Sequence, residues 1–176
     1  MDRDGTISEE VGYVYHSGLY RVFSWSGPAI RKINQHGMKA IVITNQSGVG
    51  RGYFDEASVE EVHSILRTEL AAQNAKLDAI YACVHHPDAG CDCRKPNPGM
   101  LLKARDEMNI DLTQSYVIGD KYLDVEAAHN VGAKGILVLT GYGRDEREKY
   151  RSSRNQPDLI ADNLMNAVDA ILEGAL

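Results

Sequence analysis

Five short apolar runs recur along the chain with room for a helix between them: KAIVITN at 39–45, LDAIYACVH at 77–85, SYVIGD at 115–120, GILVLTG at 135–141 and the weaker DLIAD at 158–162. Near-continuous Ile, Val and Leu content suits strands covered on both faces, as in a parallel sheet. The stretches between them carry helix signals. Residues 57–72 place Val59, Val62, Leu66 and Leu70 on one stripe. In 97–109, Asn97 is a candidate cap and Pro98 suits a first turn. Residues 124–132 end on Gly132, a natural helix stop, and NLMNAVDAILEGAL supplies a terminal amphipathic helix. Strands alternating with helices predict an α/β fold built on a doubly wound parallel sheet. With 176 residues and no repeat or linker, one domain spanning 1–176 is expected.

A formal net charge of −6 argues against nucleic acid or an anionic membrane surface as the partner. No apolar run approaches the roughly 20 residues a membrane span needs, and no leader pattern is present, so a cytoplasmic location is expected.

Ligands of open α/β sheets bind beyond the carboxyl ends of the strands. The polar motifs TNQSG, CVHH and GDKYLD follow the first three runs. A further motif opens the chain, MDRDGT. Asp2 and Asp4, two apart on extended backbone, point to one side. A carboxylate can attack phosphorus without a base to activate it, and a second carboxyl can protonate the leaving oxygen. An anionic nucleophile approaching a phosphoryl group needs Mg²⁺ and fixed cations. Asp120 and Asp124 of GDKYLD are spaced to present carboxylates to a hard cation. Thr44 offers a hydroxyl, with Asn45, Gln46 and Ser47 beside it as a cradle for substrate oxygens. Lys95 supplies a point charge and Arg94 a fork suited to bidentate contact. Each motif alone could be a polar turn, an N-cap or a solvated charge; four at strand ends point to a site.

In order and across essentially the whole chain, DRDGT, ITNQSG, RKPNPGM and GDKYLD resemble the four motifs of the haloacid-dehalogenase (HAD) superfamily of phosphohydrolases. The resemblance implies Asp2 as nucleophile, Asp4 as general acid and base, and Thr44 and Lys95 as holders of the phosphoryl oxygens. It implies Mg²⁺ on the Asp2 carboxylate, the Asp4 backbone carbonyl and Asp120, with Asp124 orienting its neighbours rather than binding the ion. In that superfamily a short apolar strand precedes the first motif, whereas here Met1 alone stands before Asp2. Two expectations follow: about six to ten further residues upstream, or a short chain in which the core is open and Asp2 poorly held.

The segment CVHHPDAGCDCRKP concentrates thiols and imidazoles, the donors of a closed structural zinc site. Cys83, His85, Cys91 and Cys93 are the expected ligands, since His85 shares a side of the chain with Cys83, and His86 is held in reserve. Three unligated buried thiols are the alternative. Structural Zn²⁺ here would fix the loop that carries Arg94 and Lys95.

HAD phosphatases with such a loop include the heptose 1,7-bisphosphate phosphatases and the histidinol-phosphate phosphatases. GYV at 12–14, TNQSGVGRG, CRKPNPGMLLKARDEM and GDKYLDVEAA resemble the former, while the short gap between His85 and Cys91 is shared with the latter. A small phosphorylated sugar is therefore the expected substrate, with Arg94, Lys121 and Arg51 as cations for a second phosphate. Glu10, Val11, Gly12 and Tyr13, on a flap formed by 7–28, would meet the sugar. Trp25 and Phe23 of that flap are expected to pack onto the core. With no segment long enough for a large cap, a monomer is expected. Two other classes stay open: a phosphoacceptor switch, which Asp4 argues against, and an inactive zinc-binding interaction module.

Overall fold

The computed structural model describes residues 1–14 and 17–176, and Tyr15 of the expected flap lies outside them. Each of the five apolar runs forms a strand: β1 Ile41–Asn45, β2 Ala79–Cys83, β3 Tyr116–Gly119, β4 Lys134–Val138 and β5 Leu159–Ala161. The helices are α1 Ser26–Gln35, α2 Ser47–Gly50, α3 Glu56–Ala71, α4 Gly99–Met108, α5 Tyr122–His129, α6 Gly143–Lys149 and α7 Leu164–Leu172. β1 and β2 form one parallel ladder; β3, β4 and β5 form another.

Met1 and Asp2 stand between the two ladders. The Met1 ammonium donates to the Ile41 carbonyl at 2.8 Å, and its carbonyl accepts the Ile43 amide at 3.0 Å. On the other side the Asp2 amide donates to Ile118 O at 2.8 Å. These two residues thus bridge β1 to β3 at the end where the strands deliver their polar motifs. Beside them lies an apolar cavity of about 370 Å³, with Met1, Ile41, Ile43, Tyr116, Ile118 and Leu172 in its wall. Asp2 is nonetheless well held, at 6% exposure.

Alternation along the strands places apolar side chains in two layers, one on each face. Val42, Ile118, Ile136 and Val138 pack with Ile30, Leu66 and Val168, which come from α1, α3 and α7. Ile43 and Val117 pack with Met100 and Leu101 of α4 and Ala127 and Ala128 of α5. Two covered faces are what a doubly wound sheet requires, and burial of this apolar area is the main stabilising term.

The helix signals hold with two changes. Asp55 caps α3 by accepting the Ser58 amide at 2.9 Å, and Val59, Val62, Leu66 and Leu70 are all buried. Asn163 caps α7 in the same way. Asn97 does not cap α4: its side-chain amide donates to Cys91 O at 2.8 Å, tying the cysteine loop to the helix start instead. α5 begins at Tyr122 rather than Asp124 because Lys121 and Asp124 close a box of reciprocal bonds there. Within the flap, Ile7, Val14 and Tyr20 are buried, Phe23 stacks on Trp25 with ring centroids 4.8 Å apart, and Trp25 packs on the main core. No helix among the described residues is long and apolar enough to cross a membrane.

Candidate active site

The ends of β1 and β3, the Met1–Asp2 bridge and the loop after β2 converge on a cleft of about 260 Å³. Asp2, Asp4, Thr44, Lys95, Arg94 and Lys121 are in its wall. Asp2 Oδ1 accepts the Arg3 amide at 2.7 Å and pairs with Lys95 Nζ at 3.0 Å. The same ammonium pairs with Asp124 Oδ1 at 2.6 Å and donates to Ile43 O at 2.8 Å. Lys95 is held from its backbone too, because the Asn45 side-chain amide exchanges two hydrogen bonds of 3.1 Å with its N–H and C=O.

Burial alone would push the Asp2 carboxyl up, but Lys95 and the Arg3 amide outweigh it and hold Asp2 below the usual carboxylate range. Burial would likewise lower Lys95, yet Asp124 and Asp2 beside it keep the ammonium charged. The site therefore presents an ionised carboxylate and a fixed cation without a solvent shell around either. Asp120 behaves differently: burial, with the Asp2 charge next to it, pushes its carboxyl up to about 8.

Asp2, Asp120 and Asp124 each bring one oxygen within 4.8 Å of the others. Asp120 Oδ2 accepts the Tyr142 amide at 2.8 Å, while its Oδ1 is buried with no partner. Crowded carboxylates with an unsatisfied oxygen are the donor set a hard divalent cation takes. Gly5 makes room for them. Its φ is +77°, and a Cβ there would collide with the Asp120 carboxylate.

On the β2 side, Cys83, His85, Cys91 and Cys93 cluster with Cys83 Sγ 3.6 Å from Cys91 Sγ, Cys93 Sγ 3.5 Å from Cys91 Sγ and His85 Nδ1 3.2 Å from Cys93 Sγ. Zinc bonds of about 2.3 Å to sulfur and 2.0 Å to nitrogen imply tetrahedron edges of roughly 3.5–3.8 Å, so the donor set fits that ion. Burial and the two neighbouring sulfurs push the Cys93 thiol up to about 12, a crowding that a cation would relieve. His86 is turned away and accepts the Asp88 amide. Gly50 of α2 lies directly against the His85–His86 backbone, where a Cβ would have no space, so the loop is seated on the β1 end of the site.

Most of the residues singled out in the sequence meet here, with differences in what they do. Glu10, Gly12, Tyr13 and Ser47 line the cleft, whereas Val11 and Arg51 point to solvent outside it. Asn45 and Gln46 line it too and are also bonded within the protein: Asn45 with Lys95, and Gln46 with both Asp4 and Thr44. Glu10 pairs with Lys121 at 3.2 Å and accepts the Gly12 amide at 2.6 Å. Tyr142 and Leu123 also line the cleft without any motif to announce them; the Tyr142 ring lies 4.5 Å from Lys121 Nζ. Only the position of Tyr142 just past the β4 end hinted at that role.

A family model described as HAD-hydrolase-like matches residues 92–167. The chain is 44% identical over 180 residues to the D-glycero-beta-D-manno-heptose-1,7-bisphosphate 7-phosphatase of Escherichia coli K12, covering 97% of this chain and 91% of that one. It is 37% identical over 182 residues to the corresponding enzyme of Thermosynechococcus vestitus, with 97% and 93% covered. Among solved structures, the D,D-heptose 1,7-bisphosphate phosphatase of B. bronchiseptica, complexed with magnesium and phosphate, superposes with a TM-score of 0.90 at 31% identity, covering 98% of this chain and 96% of that one.

Proposed function

Because the chain belongs to the heptose-1,7-bisphosphate 7-phosphatase family of HAD-like hydrolases, we infer that it removes the C7 phosphate of D-glycero-D-manno-heptose 1,7-bisphosphate. The observation that carries the bisphosphate reading is a second cationic group in the cleft. Arg94, with a buried Nη1 that has no partner, and Lys121 stand apart from the Lys95 that serves Asp2. A sugar with phosphates at both ends has a use for both groups.

Asp2 attacks the C7 phosphorus and forms an aspartyl-phosphate as the bond to the sugar oxygen breaks. Asp4 gives its proton to that oxygen, then takes one from the water that hydrolyses the intermediate. Thr44 and Lys95 hold phosphoryl oxygens, while Asp124 and Asn45 keep Lys95 in place. Mg²⁺, held by Asp2, Asp120 and the Asp4 carbonyl when bound, offsets the negative charge of the phosphoryl group. Arg94 and Lys121 anchor the other phosphate, and Gly12 and Tyr13 face the sugar.

Histidinol phosphate would bring an amine in need of a carboxylate, but the charge of Glu10, the flap carboxylate in the cleft, is already paired with Lys121 at 3.2 Å. The test is Mg²⁺-dependent phosphate release from heptose 1,7-bisphosphate and from histidinol phosphate. Loss of one phosphate from the sugar with histidinol phosphate nearly inert supports the reading; the reverse preference overturns it.

The Cys83, His85, Cys91 and Cys93 cluster is read as a structural zinc site that holds the Arg94–Lys95 loop. One zinc per chain is expected by metal analysis. Cys93→Ser should lose it and lower the melting temperature by at least about 5 °C. A metal-free wild-type chain of unchanged melting temperature would refute the assignment.

A further inference from the structure

Arg3 stands between the two aspartates in sequence, yet its side chain is only 1% exposed, against 9% for Asp2 and 15% for Asp4. Its Nε donates to Asp4 Oδ1 at 3.0 Å and its Nη2 donates to Asp4 Oδ2 at 2.7 Å. Gln46 Nε2 donates to the same Oδ2 at 2.8 Å, and to Thr44 Oγ1 at 2.9 Å. The guanidinium lies 5.6 Å from the centroid of the buried Tyr20 ring. Burying an arginine this deeply costs free energy unless the fork is used, and charge neutralisation alone could have been supplied by a solvated side chain. What a fork adds over a point charge is a fixed carboxylate plane.

A carboxylate offers about four acceptor positions, two on each oxygen. On Oδ2 both are filled, by Arg3 and Gln46. On Oδ1 one is filled, by Arg3, and one is open. We propose that Arg3 and Gln46 are positioning residues that lock the Asp4 carboxyl so that Oδ1 carries the transferred proton. This deepens the phosphatase reading and rests on it. In the first step the bond from an Asp2 oxygen to phosphorus forms, the bond from phosphorus to the leaving oxygen breaks, and the Oδ1 proton passes to that oxygen. In the second step a water oxygen bonds to phosphorus, the Asp2–phosphorus link breaks, and the water proton returns to Oδ1. Proton transfer at each step needs heavy atoms within about 2.6–3.2 Å, which a freely turning carboxyl would meet only part of the time.

The test uses the full chain with Arg3→Lys and, separately, Gln46→Met, each checked for folding by its melting curve. The first chemical step is timed in a rapid-mix burst with two kinds of ester. The sugar phosphate expels an alkoxide that needs a proton; 2,4-dinitrophenyl phosphate expels a phenolate that does not. Each variant should slow the sugar step by roughly 10- to 100-fold and the dinitrophenyl step by less than about 3-fold. Equal losses on both esters would mean the residues serve the nucleophile or the fold, and no loss on either would mean they only fill space; both outcomes overturn the proposal. Should Arg3→Lys fail to fold, Gln46→Met decides alone. A wild-type chain that rejects the heptose bisphosphate but hydrolyses another alkyl phosphate sinks the substrate assignment only, and the split is then read on that ester. A wild-type chain inert toward every phosphomonoester would end both.

Discussion

Asp2→Asn should leave a folded protein that has lost at least about 10⁴-fold of its phosphatase rate. The amide is isosteric but is no nucleophile toward phosphorus. Folding should survive because Lys95 keeps its 2.6 Å pair with Asp124 and its 2.8 Å bond to Ile43 O after the Asp2 charge is gone. Asp4→Asn provides the contrast. The nucleophile remains, but the second step lacks its base, so the aspartyl-phosphate should accumulate while turnover falls by about 10²- to 10⁴-fold. Acid-quenched protein from labelled substrate should therefore retain phosphate in Asp4→Asn and none in Asp2→Asn. More than about 1% residual activity in Asp2→Asn would refute the covalent route. A long-lived phosphoenzyme in the wild type would instead favour a signalling acceptor over a hydrolase.

Where the sequence was readable, the reason is periodicity or a donor set. The five apolar runs became the five strands of the described residues because residues buried on both faces leave an unbroken Ile and Val signal, as Val42, Ile43, Val117 and Ile118 do. Cys83, His85, Cys91 and Cys93 were identifiable because few other roles crowd three thiols and an imidazole into eleven residues. Asn45 and Gln46 line the cleft as expected, but they also carry contacts within the protein that the sequence could not show. A polar side chain just past a strand end can face a ligand or a neighbour, and only the fold shows that Asn45 grips the Lys95 backbone and Gln46 the Asp4 carboxyl. Arg3 carried no signal at all. In sequence it is a lone cation between two aspartates, and its meaning is in a burial that composition cannot convey. α1 went unnoticed for a similar reason: it opens with Ser26, Gly27 and Pro28, residues that read as a loop, yet Ser26 anchors it by donating to Ile7 O at 2.7 Å.

Mg²⁺ affinity should weaken below about pH 8, approaching tenfold per pH unit and reaching about 50-fold between pH 8 and pH 6. The cause is Asp120. Burial, reinforced by the Asp2 charge, pushes its carboxyl up to about 8 in the metal-free chain, so near neutrality it holds a proton that the cation must displace. Asp2 adds no slope in this window, since Lys95 and the Arg3 amide keep it ionised against the effect of burial. Asp124, pushed up by burial to about 6 against the pull of Lys95, protonates at the lower edge. Calorimetry at pH 7 in buffers of different ionisation heat should accordingly record close to one proton released per Mg²⁺ bound. The stability of the metal-free chain has the corresponding sign. A carboxyl whose pKa is raised on folding stabilises the fold fully below its unfolded value, near 3.8, and that contribution is lost as pH rises through about 8. Mg²⁺ should then raise the melting temperature more at pH 8 than at pH 6, because at the higher pH it binds without first removing a proton and relieves repulsion that is already present. Asp120→Asn, which cannot ionise, should bind the ion weakly at every pH and flatten the profile. An affinity that does not change between pH 6 and pH 8 in the wild type would place the cation elsewhere than on Asp120.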